Sequence, residues 1–149
     1  MDQKIICKVM LYSYKYLIKK CEAVDEEIMK CGLVSFHTGI YSSFDKIVKL
    51  MNEKIAYCNI KVMVDKTLAE MKNKEAIEKY HILGISLKDL VNDFNSERTM
   101  FRHLEKQREE FCKRLLAKND EKKLVEIISD SKWLIYLYNE ILKLKKQKG

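Results

Sequence analysis

The sequence predicts an all-α fold, either a helical bundle or a long helical hairpin that carries a helix-turn-helix. Proline is absent from the 149 residues and glycine occurs only four times, while residues that favour helices are abundant. Apolar residues recur at the three- and four-residue spacing of helices along most of the chain. The length suits a single domain, so we expect one compact helical domain without β-strands.

The N-terminal part is expected to hold one or two helices followed by a loop. Residues 4–30 place apolar side chains at mixed helical spacings, which fits one long helix or two short ones. Cys31 and Gly32 are expected to end this segment, because glycine disfavours a helix interior. Residues 33–43 contain hydroxyl side chains and a glycine without a clear period, which predicts a loop with Ser43 capping the next helix.

Residues 44–71 are predicted to form one long amphipathic helix. Apolar residues step by four and three for about three heptads, which is typical of a coiled coil. The positions are Phe44, Val48, Met51, Ile55, Cys58 and Val62. Two interpretations of this face stay open: it pairs with a second copy in a homodimer, or it packs on the N-terminal helix in an internal hairpin. In both cases, residues 1–75 are interpreted as a helical support or dimerisation region.

Residues 76–118 have the start and stop signals of a helix-turn-helix. Gly84 follows an apolar-periodic segment and suits the left-handed conformation at a helix end. Ser86, with an aspartate three residues on, approximates a capping box that starts a short helix. The apolar stripe of that helix is Leu87, Leu90, Val91 and Phe94. Asn95 tolerates left-handed geometry and Ser96 can cap a third helix, so we expect tight joints between three helices.

The third predicted helix is the candidate recognition helix. Its buried face is expected to hold Met100, Phe101, Leu104, Phe111, Leu115 and Leu116. Arg98, Arg102 and Lys106 recur every four residues on the other side, where a recognition helix presents side chains to the major groove. Basic stripes are common on exposed helix faces, and here the preceding turn signals favour the DNA-binding interpretation. The candidate DNA-binding residues are Glu97, Arg98, Thr99, Arg102, His103 and Lys106.

Residues 119–149 are predicted to form two further helices after a polar joint at Asn119 and Asp120. Apolar residues run through both helices, and we expect this segment to fold back and cover the bundle. The last turn is rich in lysine, which either contacts phosphates or forms a solvated end favoured by the helix dipole.

Residue types across the helix-turn-helix segment match a family pattern. The matching positions are Tyr80, Gly84, Ile85, Ser86, Leu90, Ser96, Thr99, Phe101 and Arg102. With them, residues 46–116 resemble region 4 of sigma-70-type factors, and more closely the small phage and mobile-element transcriptional regulators of the ArpU and RinA type. The resemblance implies a DNA-binding helix-turn-helix in a transcriptional regulator, with RNA polymerase as a further partner in the sigma-like case.

Composition and charge narrow the classes of function. The formal net charge of +7 and the sequence pI of about 9.1 suit a polyanionic partner such as double-stranded DNA. The cysteines form no C-x-x-C pair and no histidine completes a zinc set with them, so we expect no metal, no cofactor and no enzymatic activity. No apolar run reaches the ~20 residues of a membrane span, and the odd number of cysteines without a signal peptide favours the cytoplasm.

The sequence therefore favours a sequence-specific DNA-binding transcriptional regulator without catalytic residues. Two alternatives stay open. One is a sigma-like partner of RNA polymerase that uses the same motif at a promoter. The other is a helical protein–protein interaction module that binds no nucleic acid and grips another helix with its heptad face.

Overall fold

The computed structural model describes residues 1–38 and 41–148, and within them the side chains of residues 1–33 and 43–148. Every regular element in these ranges is helical, which confirms the all-α prediction. In chain order they are α1 Gln3–Ser13, a 3₁₀ turn Tyr14–Tyr16, α2 Leu17–Thr38, α3 Tyr41–Glu70, α4 Glu75–Ile77, a π-helical turn Glu78–Ile82, α5 Leu87–Val91, α6 Glu97–Lys118, α7 Glu121–Ser129 and α8 Lys132–Lys148. Among the described helices, none has the length and apolar content to cross a bilayer.

Helix α1 lies at the centre of the core. Ile5, Ile6, Val9, Met10 and Leu11 are each at most 1 % exposed, so side chains on most of its circumference are covered. A helix that is apolar on most sides needs neighbours all round. Helices α3, α6, α7 and α8 supply them. All three segments distinguished in the sequence therefore contribute to one hydrophobic core.

Helices α2 and α3 form an antiparallel hairpin, and only one end of it joins the core. Lys54 of α3 pairs with Asp25 of α2 at 2.7 Å. The buried apolar residues of α3 run from Ala56 to Leu68, whereas residues 44–55 contain no buried side chain. We call residues 22–33 of α2 together with residues 44–55 of α3 the arm, because in this part the two helices have mainly each other as neighbours.

The helix end predicted at Cys31 and Gly32, and the loop predicted over residues 33–43, are wrong. Helix α2 continues through Gly32, and α3 has already begun at Tyr41, so Ser43 is not its N-cap. Residues 39–40 of the predicted loop lie outside the described residues. A glycine inside a helix costs only roughly 0.5–1 kcal/mol relative to alanine, and packing of α2 on α3 outweighs that local preference.

The predicted start and stop signals before α6 are confirmed. Gly84 has a φ of 71°, and it is the one described residue with a left-handed backbone. The hydroxyl oxygen of Ser86 accepts from the Asp89 N–H at 3.2 Å, and that of Ser96 accepts from the Thr99 N–H at 3.1 Å. Each cap satisfies an amide that the first turn of a helix leaves without an intrahelical partner.

Two details of this segment differ from the prediction. Asn95 does not adopt left-handed geometry, since no described residue other than glycine has a positive φ. Instead the Phe94 N–H donates to the Val91 carbonyl at 3.0 Å, so a helical turn continues from the end of α5 into the segment that leads to α6. Phe101 was expected in the buried face of α6 and is 39 % exposed. It lies about 100° round the helix from Met100, outside the side that the short α5 and the core cover.

We expect Leu90→Asp to lower the free energy of unfolding by about 2–5 kcal/mol, because it places a carboxylate where the apolar side chain is fully covered. Lys88→Asp in the same short helix is the matched control, since Lys88 is exposed. Urea unfolding followed by circular dichroism measures both. Equal midpoints for the two variants would contradict the packing of α5.

Candidate nucleic-acid interface

Helix α6 is held against the body of the protein by one apolar face and one buried amide. Met100, Leu104 and Phe111 are each at most 1 % exposed and face the core. The Gln107 side-chain carbonyl lies on the same side and accepts from the Ile77 N–H at 3.1 Å. This bond satisfies an amide at the start of α4, so α4 and α6 are joined by a specific polar contact as well as by apolar packing.

The guanidinium of Arg108 fixes α6 to two other parts of the chain. Its Nε donates to Nε2 of His81 at 3.1 Å, and one terminal nitrogen donates to the Tyr12 hydroxyl at 3.0 Å. The other terminal nitrogen pairs with Glu105 at 2.6 Å. The rings of Tyr12 and Tyr80 lie 5.4 and 5.6 Å from the guanidinium carbon, within cation–π range. The cation thereby connects α6 to α1 and to the π-helical turn.

His81 can accept this hydrogen bond because it is held neutral. The side chain is buried, and burial is the main reason that its pKa falls to about 3, with the positive charges of Arg108 and Lys15 adding to the shift. Burial likewise raises the pKa of the Tyr12 hydroxyl above its ordinary value. The cluster therefore contains one cation, Arg108, whose charge is balanced by Glu105 and by neutral acceptors.

Three cations occupy the side of α6 opposite the packed face. Arg98, Arg102 and Lys106 are exposed, and no carboxylate among the described side chains pairs with them. At 1.5 Å per residue they extend over ~12 Å of helix. That length is comparable to the ~12 Å width of the major groove of B-DNA. Their charges are therefore available to a partner and are spaced about one helical turn apart.

Three of the unpaired cations lie in the first half of α6, and a fourth, the exposed Lys113, lies further along the same side. Glu109 is exposed and lies within about 20° of Arg102 round the helix, so it follows the three cations on their own side. Further on, Arg114 pairs with Glu110 at 3.1 Å. A polyanion would therefore meet a closely spaced row of three cations over residues 97–106, which Glu109 separates from Lys113.

The other predicted site residues are placed differently from the three cations. Glu97 begins the helix about 140° round from Arg102, so it does not share the cationic face. Thr99 is half-buried, and its hydroxyl accepts from the N-cap serine at 2.9 Å. The His103 ring is exposed at one edge and packs on Phe94, with centroids 5.3 Å apart. Of the six predicted residues, the structure brings Arg98, Arg102 and Lys106 together on one face.

The fold brings near α6 a cation that was not among the predicted site residues. A cleft of about 360 Å³ separates α6 from the linker between α3 and α4, and its walls include Lys72, His103 and Lys106. Lys72 is exposed and has no carboxylate partner among the described side chains, whereas Lys74 in the same linker pairs with Glu78 at 3.7 Å. Nothing in the sequence of this linker says which helix it meets.

Within the described side chains, no group of three His, Cys, Asp or Glu residues is placed to hold a metal ion.

Comparison with known proteins gives no relative: no protein-family model, curated protein or solved structure matches the chain. The resemblance to sigma region 4 and to ArpU- and RinA-type regulators therefore stays a prediction that rests on residue types. The site is defined by its geometry: a capped, packed helix whose outer face begins with a row of three unpaired cations, Arg98, Arg102 and Lys106.

We expect His81 to make stability depend on pH. The folded protein keeps this histidine neutral down to a pKa of about 3, whereas an unfolded histidine binds a proton near its ordinary pKa of 6.5. Between these values the unfolded chain binds the extra proton, so stability is fully present above about pH 6.5 and falls as the pH falls. For one proton the slope is at most about 1.4 kcal/mol per pH unit.

Urea unfolding of the native protein and of His81→Gln, measured at several pH values between about 7 and 5, checks this slope. The native protein should lose more stability over that interval than the variant. His103→Gln is the matched control, because it makes the same change at an exposed position. The same pH slope in the native protein and in His81→Gln would show that His81 protonates freely in the folded state.

Proposed function

We propose that this protein is a sequence-specific DNA-binding transcriptional regulator and that the first half of α6 enters the major groove. The observation that supports this most is the cationic face formed by Arg98, Arg102 and Lys106, which is exposed and unpaired among the described side chains. It lies opposite a packed face, so these residues contribute little to the fold. The net charge of +7 adds a long-range attraction to a polyanion.

The positions along α6 favour a division of roles. Arg98 and Arg102 lie near the helix start, where recognition helices contact base edges, and an arginine can donate two hydrogen bonds to one guanine. Phe101 is exposed beside them and can contact a thymine methyl group. Lys106 lies further along, next to the cleft that Lys72 also lines, and both suit phosphate contacts.

The contacts that hold α6 against the rest of the protein support the same function. A recognition helix that is already fixed avoids the loss of affinity that ordering it on binding would cause. Gln107 and Arg108 anchor the helix through buried or half-buried hydrogen bonds to Ile77, His81 and Tyr12. Gln107 and Arg108 directly follow Lys106, so the hydrogen bonds that fix α6 lie next to its cationic first half.

A helical interaction module is the second candidate function. It is supported by exposed apolar side chains on the arm, including Phe44, Met51 and Ile55. These residues lie on a different part of the chain from the cationic face, so the two functions are compatible. A contact with RNA polymerase rests on the resemblance to sigma region 4 alone.

Selection from a pool of random-sequence duplexes tests the proposal, because it lets the protein itself choose its operator. We expect the native protein to enrich a defined motif and to bind it more weakly as salt is raised. Changing Arg98 or Arg102 to alanine should cost about 1–3 kcal/mol and relax the preference at one base pair. Changing Lys106 to alanine should weaken binding to all sequences and reduce the salt slope by about one unit.

The matched control is a triple alanine variant of Lys122, Lys123 and Lys132, which removes the same charge from exposed positions of α7 and α8. It should keep the enriched motif. Fluorescence anisotropy with the enriched duplex compares it with the triple alanine variant of Arg98, Arg102 and Lys106. If both triple variants bind with the same affinity and salt slope, α6 is not the recognition helix.

A further inference from the structure

An apolar stripe on α3 is left uncovered by the rest of the chain. Its members are Phe44, Val48, Met51, Ile55, Cys58 and Val62, and we call them the arm stripe, which continues past the end of the arm to Cys58 and Val62. Their exposed fractions include 58 % for Phe44, 51 % for Met51 and 54 % for Ile55. They recur every three or four residues along one side of the helix, so these side chains form one continuous exposed apolar surface.

The internal hairpin uses a different side of α3. Ile47 and Leu50 are half-buried in the arm, Tyr57 is fully buried, and Lys54 pairs with Asp25 of α2. These four residues also step by three and four, about 100° round the helix from the arm stripe. Helix α3 therefore carries two adjacent heptad faces. The hairpin covers one of them and leaves the other open.

Helix α2 extends the open surface. A groove of about 240 Å³ runs between the two helices, with Ile18 and Asp25 on one wall and Lys54 and Cys58 on the other. Met29 lies one turn beyond Asp25 in α2 and is 71 % exposed. Since Met51 lies one turn before Lys54, both methionines are on the side of the hairpin that carries the groove. Exposed apolar side chains thus lie on this face in both helices, beside the charged side chains of Asp25 and Lys54 that line the groove.

We propose that this face binds the same face of a second copy of this chain, so that two α2–α3 hairpins form a four-helix arrangement. A seven-residue repeat is the spacing that lets like helices interdigitate. A two-fold axis makes such a patch complementary to itself, and two helices alone cannot bury a stripe that faces away from their own contact. The proposal goes beyond DNA binding and does not depend on it.

Charge on the arm favours a second copy over an unrelated helix. Residues 22–33 of α2 carry four carboxylates and one lysine, whereas residues 44–55 of α3 carry three lysines and two carboxylates. Each copy therefore offers a stretch of α2 with a net charge of −3 beside a stretch of α3 with a net charge of +1. A two-fold arrangement that places α2 of one copy near α3 of the other brings opposite charges together, and the same arrangement suppresses wrong registers.

The size of the surface suits a reversible dimer. The arm stripe is ~27 Å long and two helices side by side are ~20 Å wide, which gives a projected face of roughly 500 Å² per copy. Specific interfaces bury about 800 Å² per partner, so this one belongs at the small end of the range. We therefore expect dissociation in the micromolar range.

Sedimentation of the full chain without DNA, from about 5 to about 200 µM, tests the proposal. The native protein should shift from monomer to dimer over this range. Met51→Glu combined with Ile55→Glu should remain a monomer throughout, because it places two charges in the contact. The control is Tyr136→Glu combined with Leu144→Glu in α8, whose side chains are each 58 % exposed, and it should dimerise like the native protein.

Circular dichroism melting shows whether each variant is folded. If the glutamate variant of the arm does not fold, Met51→Gln combined with Ile55→Gln removes the apolar contact without adding charge and should weaken dimerisation at least tenfold. A native protein that stays monomeric at the highest concentration overturns the proposal. So does equal dimerisation by the arm and control variants. Neither result bears on α6, because mass is measured without DNA and the DNA contacts lie elsewhere.

Discussion

The arrangement of α6 depends on the need to satisfy the largely buried guanidinium of Arg108. A cation removed from water requires partners for its donors, and here they come from His81, Tyr12 and Glu105. These partners belong to the π-helical turn, to α1 and to α6 itself. Because α1 lies at the centre of the core, Arg108 links the candidate recognition helix to the most deeply buried part of the molecule.

The local features of the fold were predictable because short-range chemistry decides them. Gly84, Ser86 and Ser96 act on amides or backbone angles within a few residues, and each behaves as the sequence indicates. The Arg108 cluster was not predictable, since Arg108 lies 27 residues from His81 and 96 from Tyr12. The helical period places Arg108 beside Leu104 and Phe111 on the packed side of α6, but it does not say which distant side chains its guanidinium meets.

Which neighbour covers each apolar side of α3 could not be predicted from the sequence either. The heptad spacing of Phe44, Met51 and Ile55 is visible in the sequence, but spacing alone does not say whether the chain itself or another molecule covers that side. The structure pairs α2 with the neighbouring side of α3 instead. Gly32 was misjudged for a related reason: a local preference worth less than about 1 kcal/mol yields to the packing of two long helices. The cationic face of α6 and the apolar face of the arm thus lie on separate parts of one chain.

The most direct test of the account is an NMR titration of the labelled protein with a short duplex of arbitrary sequence at low salt, where non-specific binding suffices. The proposal predicts that the largest amide shifts fall on residues 97–106 and on the linker residue Lys72, with little change in α7 and α8. Shifts concentrated on the lysine-rich end of α8, or no shifts at all, would contradict the assignment of α6 as the DNA-binding helix.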